Sequence, residues 1–318
     1  MSKLYSIGEL LIDFQSVGTG SLKQTSQFIK NAGGAPANVC VQAVKLGQSA
    51  VYLTQVGDDG FGEFLIDALR DEGVDVSYIK RTAKYDTSLA FVSFKEGGER
   101  EFSFYRKAAA DLYFTPEDFE NVAFTAEDYL EFGSVALKTQ TAKDAHISLI
   151  ERARKAGATV CFDPNLRFNL WEDAGELKDA VLRFAKYADV IKVGGDEIEF
   201  ITGLTGDEAA QSLFTGTLKA LLVTDGGKGA KLYLADGKKL SCDGFKVKAV
   251  DTTGAGDSFF GGFIAGMMEK GLTPSNALSF CGYGELLSFA CKCGAYTTTG
   301  FGAIPAMGTG KIIEEAVK

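Results

Sequence analysis

DTTGAGDSFFGGF, residues 251–263, is the stretch of sequence that decides the fold. Three small residues, Gly254, Ala255 and Gly256, come before an apolar-rich segment with the character of a helix. Small residues let backbone N–H groups approach a ligand closely, and the start of a helix adds unpaired donors and a positive dipole end. The stretch therefore predicts a binding site for an anion.

Asp257 places a carboxylate directly beside this predicted anion site. Its negative charge would weaken the binding of phosphate alone. The charge is useful, however, if Asp257 takes a proton from an attacking hydroxyl while backbone amides stabilise a phosphoryl group in transfer. The alternative is a glycine-rich turn in which Asp257 only favours the helix N-terminus. This stretch alone leaves both interpretations open.

A second glycine-rich stretch, residues 31–38, opens a predicted helix that runs to Leu46. Gly33 and Gly34 permit close backbone approach, and Asn38 could hydrogen-bond a polyol. Asp13, after the first predicted strand, is a further acceptor for sugar hydroxyls. A simple loop before a helix would also explain the Gly and Pro residues here.

Composition excludes several classes of protein. The 318 residues include 33 basic and 42 acidic side chains, a net charge of −9, without the basic stripe of a nucleic-acid binder. No apolar run reaches the roughly 18 residues of a membrane span, and the N-terminus lacks a signal sequence, so we expect a cytoplasmic protein. The six cysteines form no CxxC pairs and predict free, mostly buried thiols. The presence of a single histidine, His146, excludes His-dependent triads and His-rich metal sites. His146 lies in a predicted helix, where we expect a surface or helix-packing role.

Apolar runs alternate with segments of helical period, which indicates βαβ units and a mainly parallel sheet covered by helices. Between residues 87 and 105 the pattern changes to two strands joined at residues 96–99, a predicted hairpin that could act as a lid. The predicted later strands are residues 129–133, 159–163, 190–194, 220–224 and 230–234, and the predicted helices are near 141–156, 177–188, 256–270 and 274–292.

Residues 33–39 (GGAPANV), 56–62 (VGDDGFG) and 251–263 together resemble the two signature regions of the ribokinase-like (pfkB) carbohydrate kinases. Walker, protein-kinase and dinucleotide-binding motifs do not occur in the sequence. The resemblance covers essentially the whole chain. It implies a three-layer α/β/α sandwich with a mainly parallel central sheet, as one kinase domain over residues 1–318. It also implies a small β lid contributed mainly by residues 10–30 and 87–113.

The resemblance also implies roles for individual residues. Asp257 is then the base that activates a sugar hydroxyl, beside an anion hole formed by Gly254, Ala255 and Gly256. The sugar is held by Asp13, Gly33, Gly34 and Asn38. Residues 223–229 are similar to the nucleotide-binding turn of the family, which places Thr224, Gly226, Gly229 and Lys192 with ATP. For that turn a surface hairpin is the alternative.

The same resemblance implies residues that would bind or organise metal ions. The family usually shows an Asn shortly before a Glu that helps to organise Mg²⁺ and phosphates. Here Gly194 replaces the Asn, whereas Glu197 is retained as an indirect Mg²⁺ organiser. Asp251 and Thr253 match part of the region where family members often bind a monovalent cation such as K⁺.

Two further stretches, residues 104–111 and 162–167, look like those of fructokinases. They add Arg106, Asn165 and Arg167 as ligands of sugar or phosphate oxygens. We therefore predict transfer of the ATP γ-phosphoryl group to a ketohexose, with fructose 6-phosphate as product and a homodimer formed through the lid. The alternatives are a 2-keto-3-deoxygluconate kinase, whose substrate carboxylate both arginines would bind, and a catalytically silent sugar-binding protein. Ala90, where acid-sugar kinases tend to have Tyr, favours a neutral ketose.

Overall fold

The computed structural model describes residues 2–94 and 100–318 of the chain. Its larger sheet has nine strands in the order β13-β12-β11-β10-β9-β8-β1-β4-β5. All neighbouring pairs are parallel except β11 with β12 and β12 with β13. These strands are β1 (Lys3–Ile7), β4 (Ser49–Gly57), β5 (Ile79–Thr82), β8 (Tyr129–Gly133), β9 (Thr159–Asp163), β10 (Val190–Gly194), β11 (Ala220–Thr224), β12 (Gly229–Leu234) and β13 (Lys239–Asp243).

Four of the later predicted strands have the bounds that the sequence indicates, and β12 begins one residue earlier than predicted. Their residues are buried almost without interruption. Strands covered on both faces read as continuous apolar runs, which is why the sequence locates them well.

A smaller sheet of four strands has the order β3-β2-β6-β7. Strands β6 and β7 pair antiparallel, which confirms the two strands of the predicted hairpin, while its turn at residues 96–99 lies outside the described part of the chain. We call this sheet the lid sheet. Its strands are β2 (Leu11–Thr19), β3 (Phe28–Gly33), β6 (Ser88–Phe94) and β7 (Arg100–Tyr105).

Helices cover both faces of the nine-stranded sheet. One apolar core contains residues of α1, α2, α7 and α8, and a second contains residues of α3, α4, α5 and α6. The predicted three-layer sandwich is confirmed. The described helices are α1 (Ala35–Lys45), α2 (Gly60–Asp71), α3 (Gln140–Ala156), α4 (Ala174–Ala185), α5 (Gly195–Thr202), α6 (Gly206–Ser212), α7 (Ala255–Glu269), α8 (Tyr283–Thr297) and α9 (Gly310–Ala316).

Two predicted helices differ clearly from the structure: the helix predicted at 177–188 is Ala174–Ala185, and the helix predicted at 274–292 is Tyr283–Thr297. The helix predicted from residue 274 begins at Tyr283, because Asn276 binds the backbone around it: Thr273 N donates to its Oδ1 at 2.8 Å, and its Nδ2 donates to Gly271 O at 3.1 Å. Such local side-chain bonds compete with a helix. Helix α4 begins three residues before the predicted residue 177, because Asp173 caps it and accepts from Gly175 N.

His146 packs inside the molecule, which agrees with the helix-packing alternative and not with a surface position. Its ring contacts Phe114, Phe132 and Phe184, and Nδ1 lies 2.7 Å from Ala142 O. Burial lowers the pKa of His146 to about 4. The six cysteines are free, and four of them are buried. Within residues 2–94 and 100–318, no helix combines the length and apolar character needed to span a bilayer.

Candidate active site

The loop before α7 has the conformation that an anion hole needs. Gly254 has φ 76°, and a Cβ there would lie 2.5 Å from Ala303 Cβ, so only glycine fits without strain. Asp251 shapes the loop: Thr253 donates to its Oδ1 from N at 3.0 Å and from Oγ1 at 2.7 Å, and Gly302 N donates to its Oδ2 at 3.0 Å. The first N–H groups of α7 are thereby held at a fixed turn.

Asp257 lies in the first turn of α7 and lines a cavity. Asn38 of α1 donates from Nδ2 to Asp257 Oδ2 at 2.7 Å. The two helices pack closely at Gly261, where a Cβ would lie only 2.9 Å from Val39 O. The Asn38 amide and the Asp257 carboxylate are therefore fixed relative to each other by helix packing.

Although part of Asp257 faces the cavity, the surrounding protein desolvates its carboxyl and raises its pKa. The Lys192 ammonium, the Asn38 hydrogen bond and the Arg167 guanidinium act in the opposite direction. A raised pKa gives a carboxylate more affinity for a proton, which suits a general base.

Lys192, on β10, lies beneath the anion-hole turn. Its Nζ donates to Asp163 Oδ2 at 2.9 Å, and a Cβ on Gly256 would lie 3.0 Å from Nζ. Burial acts to lower the pKa of Lys192, but the carboxylates of Asp163, Glu197 and Asp257 outweigh it and raise the pKa. Lys192 is therefore a cation, and it lines the cavity together with Gly256 and Asp257.

The glycine pair before α1 leaves room for two acidic residues. A Cβ on Gly33 would lie 2.1 Å from Asp13 Oδ2. Gly34 has φ 128°, and a Cβ there would lie 2.3 Å from the backbone carbonyl oxygen of Glu9. Asp13 lies on β2, on the side of the lid sheet that faces the cavity. Desolvation raises the pKa of Asp13 to about 7, although the nearby Arg167 lowers it.

The loop after β9 presents two predicted sugar ligands, Asn165 and Arg167, to the cavity. Asn165 has φ 44° and is the only residue other than glycine with positive φ in the described chain. Its N donates to Asp163 Oδ1 at 3.2 Å, and Leu166 N donates to Glu197 Oε1 at 2.6 Å. Two buried or half-buried acids thus hold the loop in this conformation.

The cavity has a volume of about 590 Å³ and lies between the lid sheet and the carboxyl ends of the central strands. Ligands of parallel α/β sheets bind at this edge. The lid sheet contributes Val92, Phe102 and Phe104 to its wall. The predicted site residues that line the cavity are Asp13, Gly34, Asn38, Asn165, Arg167, Lys192, Thr253, Gly254, Gly256 and Asp257.

Other predicted site residues lie outside this wall. Gly33, Ala255 and Asp251 adjoin residues that line the cavity. Arg106 is buried beneath the lid sheet, where its Nη2 pairs with Asp111 Oδ2 at 2.7 Å and its Nε donates to Ser88 Oγ at 3.0 Å. The structure thus shows Arg106 fastening the base of the lid sheet, and its role as a sugar ligand stays a prediction.

Thr224, Gly226 and Gly229 form a turn at the end of β11, beside Gly194 at the end of β10. Gly229 has φ 103°, and a Cβ there would lie 2.0 Å from Cys242 O. This turn lies at the same edge of the sheet as Lys192, because β10 and β11 run parallel. It is outside the cavity wall, so nucleotide binding by these residues stays a prediction.

Glu197 uses both carboxylate oxygens within the protein. Oε2 accepts from Gly194 N at 2.7 Å and Oε1 from Leu166 N. The bond to Oε2 comes from the backbone N–H of Gly194, so it needs no side chain at that position. Among the described residues no group of three or more His, Cys, Asp or Glu could hold a metal ion. An indirect role for Glu197 in Mg²⁺ binding stays a prediction.

Two acidic residues of the site received no role from the sequence. Asp163 lies in the quoted segment 162–167, but its bond to Lys192 joins different strands and is not visible in the sequence. Glu9 lines the cavity after β1. A carboxylate directly after a buried strand was a usable signal for Glu9, since functional side chains collect at such strand ends.

Comparison with known proteins identifies the family. The model of the family described as "pfkB family carbohydrate kinase" matches residues 1–309. Fructokinase-2 of Solanum lycopersicum is 41% identical over 96% of this chain and 93% of its own length. Fructokinase-1 of Oryza sativa subsp. japonica is 39% identical over 96% of this chain and 94% of its own.

Solved structures agree with this. A fructokinase from Vibrio cholerae O395, with fructose, ADP and calcium bound, has a TM-score of 0.88 and 30% identity, covering 100% of this chain and 99% of its own. A fructokinase from Xylella fastidiosa with bound ATP has a TM-score of 0.89 and 30% identity, covering 99% and 97%. The predicted family and enzyme class are confirmed: this chain belongs to the pfkB family of carbohydrate kinases.

Proposed function

We propose that this kinase transfers the γ-phosphoryl group of MgATP to the 6-hydroxyl of fructose. One observation carries the proposal: Asp257, held by Asn38 at 2.7 Å, lies in the first turn of α7 and lines a cavity walled by the lid sheet. A base and a set of anion-binding amides are thereby placed at one point. The fructokinases among its relatives support the choice of sugar.

In this proposal Asp257 accepts the proton of the attacking hydroxyl while the hydroxyl oxygen forms a bond to the γ-phosphorus. The bond from that phosphorus to the β,γ-bridging oxygen breaks, and ADP leaves with the electron pair. The backbone N–H groups at Gly254, Ala255 and Gly256 stabilise the negative charge on the transferring group, and Lys192 adds a fixed cation beneath them. Because these groups are held by packing, little reorganisation is needed at the moment of transfer.

Sugar binding is assigned to the cavity. At one wall, Asp13 accepts from sugar hydroxyls and the Asn38 amide bonds to them. From the loop after β9, the Asn165 amide bonds to hydroxyls and the Arg167 guanidinium donates to hydroxyl oxygens. The absence of side chains at Gly33 and Gly34 leaves room for Asp13 and for the Glu9 carbonyl at this wall. The aromatic side chains Phe102 and Phe104 exclude water, which would otherwise accept the phosphoryl group.

We assign the nucleotide to the turn that contains Thr224, Gly226 and Gly229. Mg²⁺ enters with the nucleotide as part of the substrate and bridges its phosphate oxygens. Glu197 then acts by orienting the loops that contact the phosphates. Asp251 and Thr253 mark the loop where a monovalent cation would stabilise the anion hole.

The cavity favours a neutral sugar over 2-keto-3-deoxygluconate. Glu9, Asp13 and Asp257 all line it, and their carboxylates would repel an acid sugar. Of the two arginines that could bind a substrate carboxylate, Arg106 already pairs with Asp111 at 2.7 Å in a buried site. Only Arg167 remains on the cavity wall.

We also propose a homodimer formed through the lid sheet in a cytoplasmic protein. The cavity side of that sheet continues into exposed apolar side chains, with Ile29 57% and Phe102 43% exposed. Across the lid sheet, Ile29 pairs with Gln15, Gln15 pairs with Val92, and Val92 pairs with Phe102. The four residues therefore form one row on the same face of the sheet. A second copy would cover them, and sedimentation of the wild type against Ile29→Lys tests this: a wild-type monomer contradicts it.

A coupled ADP-release assay with MgATP tests the function directly. It compares fructose with 2-keto-3-deoxygluconate, ribose and glucose at matched concentrations. Preference for fructose supports the proposal. Preference for the keto acid overturns it and assigns Arg167 to the substrate carboxylate, while silence on every sugar supports a sugar-binding protein without catalysis.

A further inference from the structure

Glu9 is a carboxylate on the cavity wall that the reaction above does not use. It follows β1 and is only 3% exposed, yet it lines the cavity together with Asp13, Gly34 and Asn38. A buried acid at this position needs a physical reason, since removing a carboxyl group from water is unfavourable unless it is paired.

The position of Glu9 is fixed from several sides. Its Oε1 accepts from Ala35 N, in the first turn of α1, at 3.0 Å. Its carbonyl oxygen accepts from the Tyr52 hydroxyl at 2.6 Å, and Gly34 leaves the space that this carbonyl occupies. The carboxyl group therefore has little freedom to turn away from the cavity.

The second carboxylate oxygen of Glu9 is unpaired. Oε2 is buried and has no hydrogen-bond partner among the described residues. The guanidinium of Arg106, whose charge acts on Glu9, forms its ion pair with Asp111 instead. One fixed oxygen and one unpaired oxygen, on the wall of a sugar cavity, are the arrangement of a hydrogen-bond acceptor kept for a ligand.

We propose that Glu9 is a specificity-determining residue whose Oε2 accepts a hydrogen bond from one hydroxyl of the bound sugar. This inference rests on the proposed sugar kinase function. It predicts that a sugar lacking that hydroxyl leaves the oxygen unpaired in the closed cavity, and such mismatches discriminate strongly between substrates.

The chain offers a matched control in Glu131 of β8. Glu131 is 1% exposed and also has an unpaired, buried Oε2, but it does not line the cavity. Glu9→Gln and Glu131→Gln both replace a carboxyl group by an amide on a residue that is 3% exposed or less. A general effect of placing an amide at a buried carboxyl position would appear in both variants, whereas a contact with sugar would appear only in Glu9→Gln.

The test measures kcat, KM and calorimetric Kd for the wild type and both variants. The sugars are fructose and its 1-, 3- and 4-deoxy analogues, with thermal melting as a check on folding. For Glu9→Gln we expect KM and Kd for fructose to rise about tenfold, because the sugar hydroxyl would lose its acceptor in a closed cavity. One analogue should bind the wild type poorly and lose nothing further in Glu9→Gln. Glu131→Gln should behave like the wild type on every sugar.

Two results overturn the inference: a fructose Kd within twofold of the wild type in Glu9→Gln, or equal further losses on all analogues. If the wild type phosphorylates another sugar instead of fructose, the proposed substrate fails. The role of Glu9 is then decided by the same comparison on that sugar. If no sugar is phosphorylated, the calorimetric Kd values decide it without catalysis.

Discussion

Asn38 donates a hydrogen bond from Nδ2 to Asp257 Oδ2 at 2.7 Å across 219 positions of sequence. This bond joins the two glycine-rich stretches that define the family resemblance. A second polar contact supports the same helix pair, because Ser258 Oγ lies 2.8 Å from Gln42 Oε1. The candidate base is therefore oriented by the helix that also borders the sugar cavity.

Replacing Asn38 by Ala should impair catalysis through Asp257. The amide orients the carboxylate and lowers its pKa, so its loss leaves the base both misdirected and more often protonated. We expect kcat to fall about tenfold or more at neutral pH, with a smaller change in melting temperature. Steady-state kinetics check this, and an unchanged kcat would separate Asn38 from the chemistry.

The pH dependence of kcat/KM should change when the charge of Lys192 is removed. Burial raises the pKa of Asp257 and Lys192 lowers it, so Lys192→Gln should raise this pKa further. Because the base acts deprotonated, the acidic limb of kcat/KM should shift to higher pH in the variant. An exposed lysine on α3 supplies the control, Lys155→Gln, whose profile should match the wild type. A limb that stays in place in Lys192→Gln contradicts the assigned coupling.

Gly33→Ala should weaken sugar binding by displacing Asp13. The new Cβ would lie 2.1 Å from Asp13 Oδ2, and the backbone at Gly33 does not itself require glycine. We expect the KM for fructose to rise about tenfold. Gly284→Ala in α8 is the control, because its Cβ would meet no atom within 4 Å. If Gly33→Ala and the wild type have equal kinetics, Asp13 does not bind the sugar.

Glu131→Gln should stabilise the protein at high pH. Burial raises the pKa of Glu131 well above its ordinary value, so the folded state keeps a proton that the unfolded state releases. The wild type therefore loses stability as pH rises above the unfolded pKa, and a neutral Gln avoids that loss. We expect a gain of about 1 kcal/mol in the free energy of unfolding at pH 8 and little near pH 4, by urea titration. A variant that is less stable at pH 8 would show that Glu131 is ionised in the folded state.

Buried strands and glycine-rich loops were predictable from the sequence for physical reasons. Strands β8 to β11 are covered on both faces, so their apolar runs mark their bounds. The start of α8 was predicted too early, because the side-chain bonds of Asn276 leave no trace in apolar periodicity.

Pairings between individual side chains were not predictable in the same way. Arg106 resembles a sugar ligand in sequence, but its partner Asp111 and the carbonyl of Val135 at 3.4 Å hold it at the base of the lid sheet. The Lys192 to Asp163 bond likewise depends on the register of β9 and β10. Residue types in the sequence were enough to predict Asp13, Asn38 and Asp257, which line one cavity, whereas the bonds that hold their neighbours required the fold.

The most direct test of the account is the rate of Asp257→Asn with MgATP and saturating fructose, beside calorimetric binding of fructose. Asparagine keeps the size of the side chain but cannot accept the proton. The account predicts a loss of about two or more orders of magnitude in kcat with fructose binding largely retained. A near-normal rate would show that Asp257 is not the base.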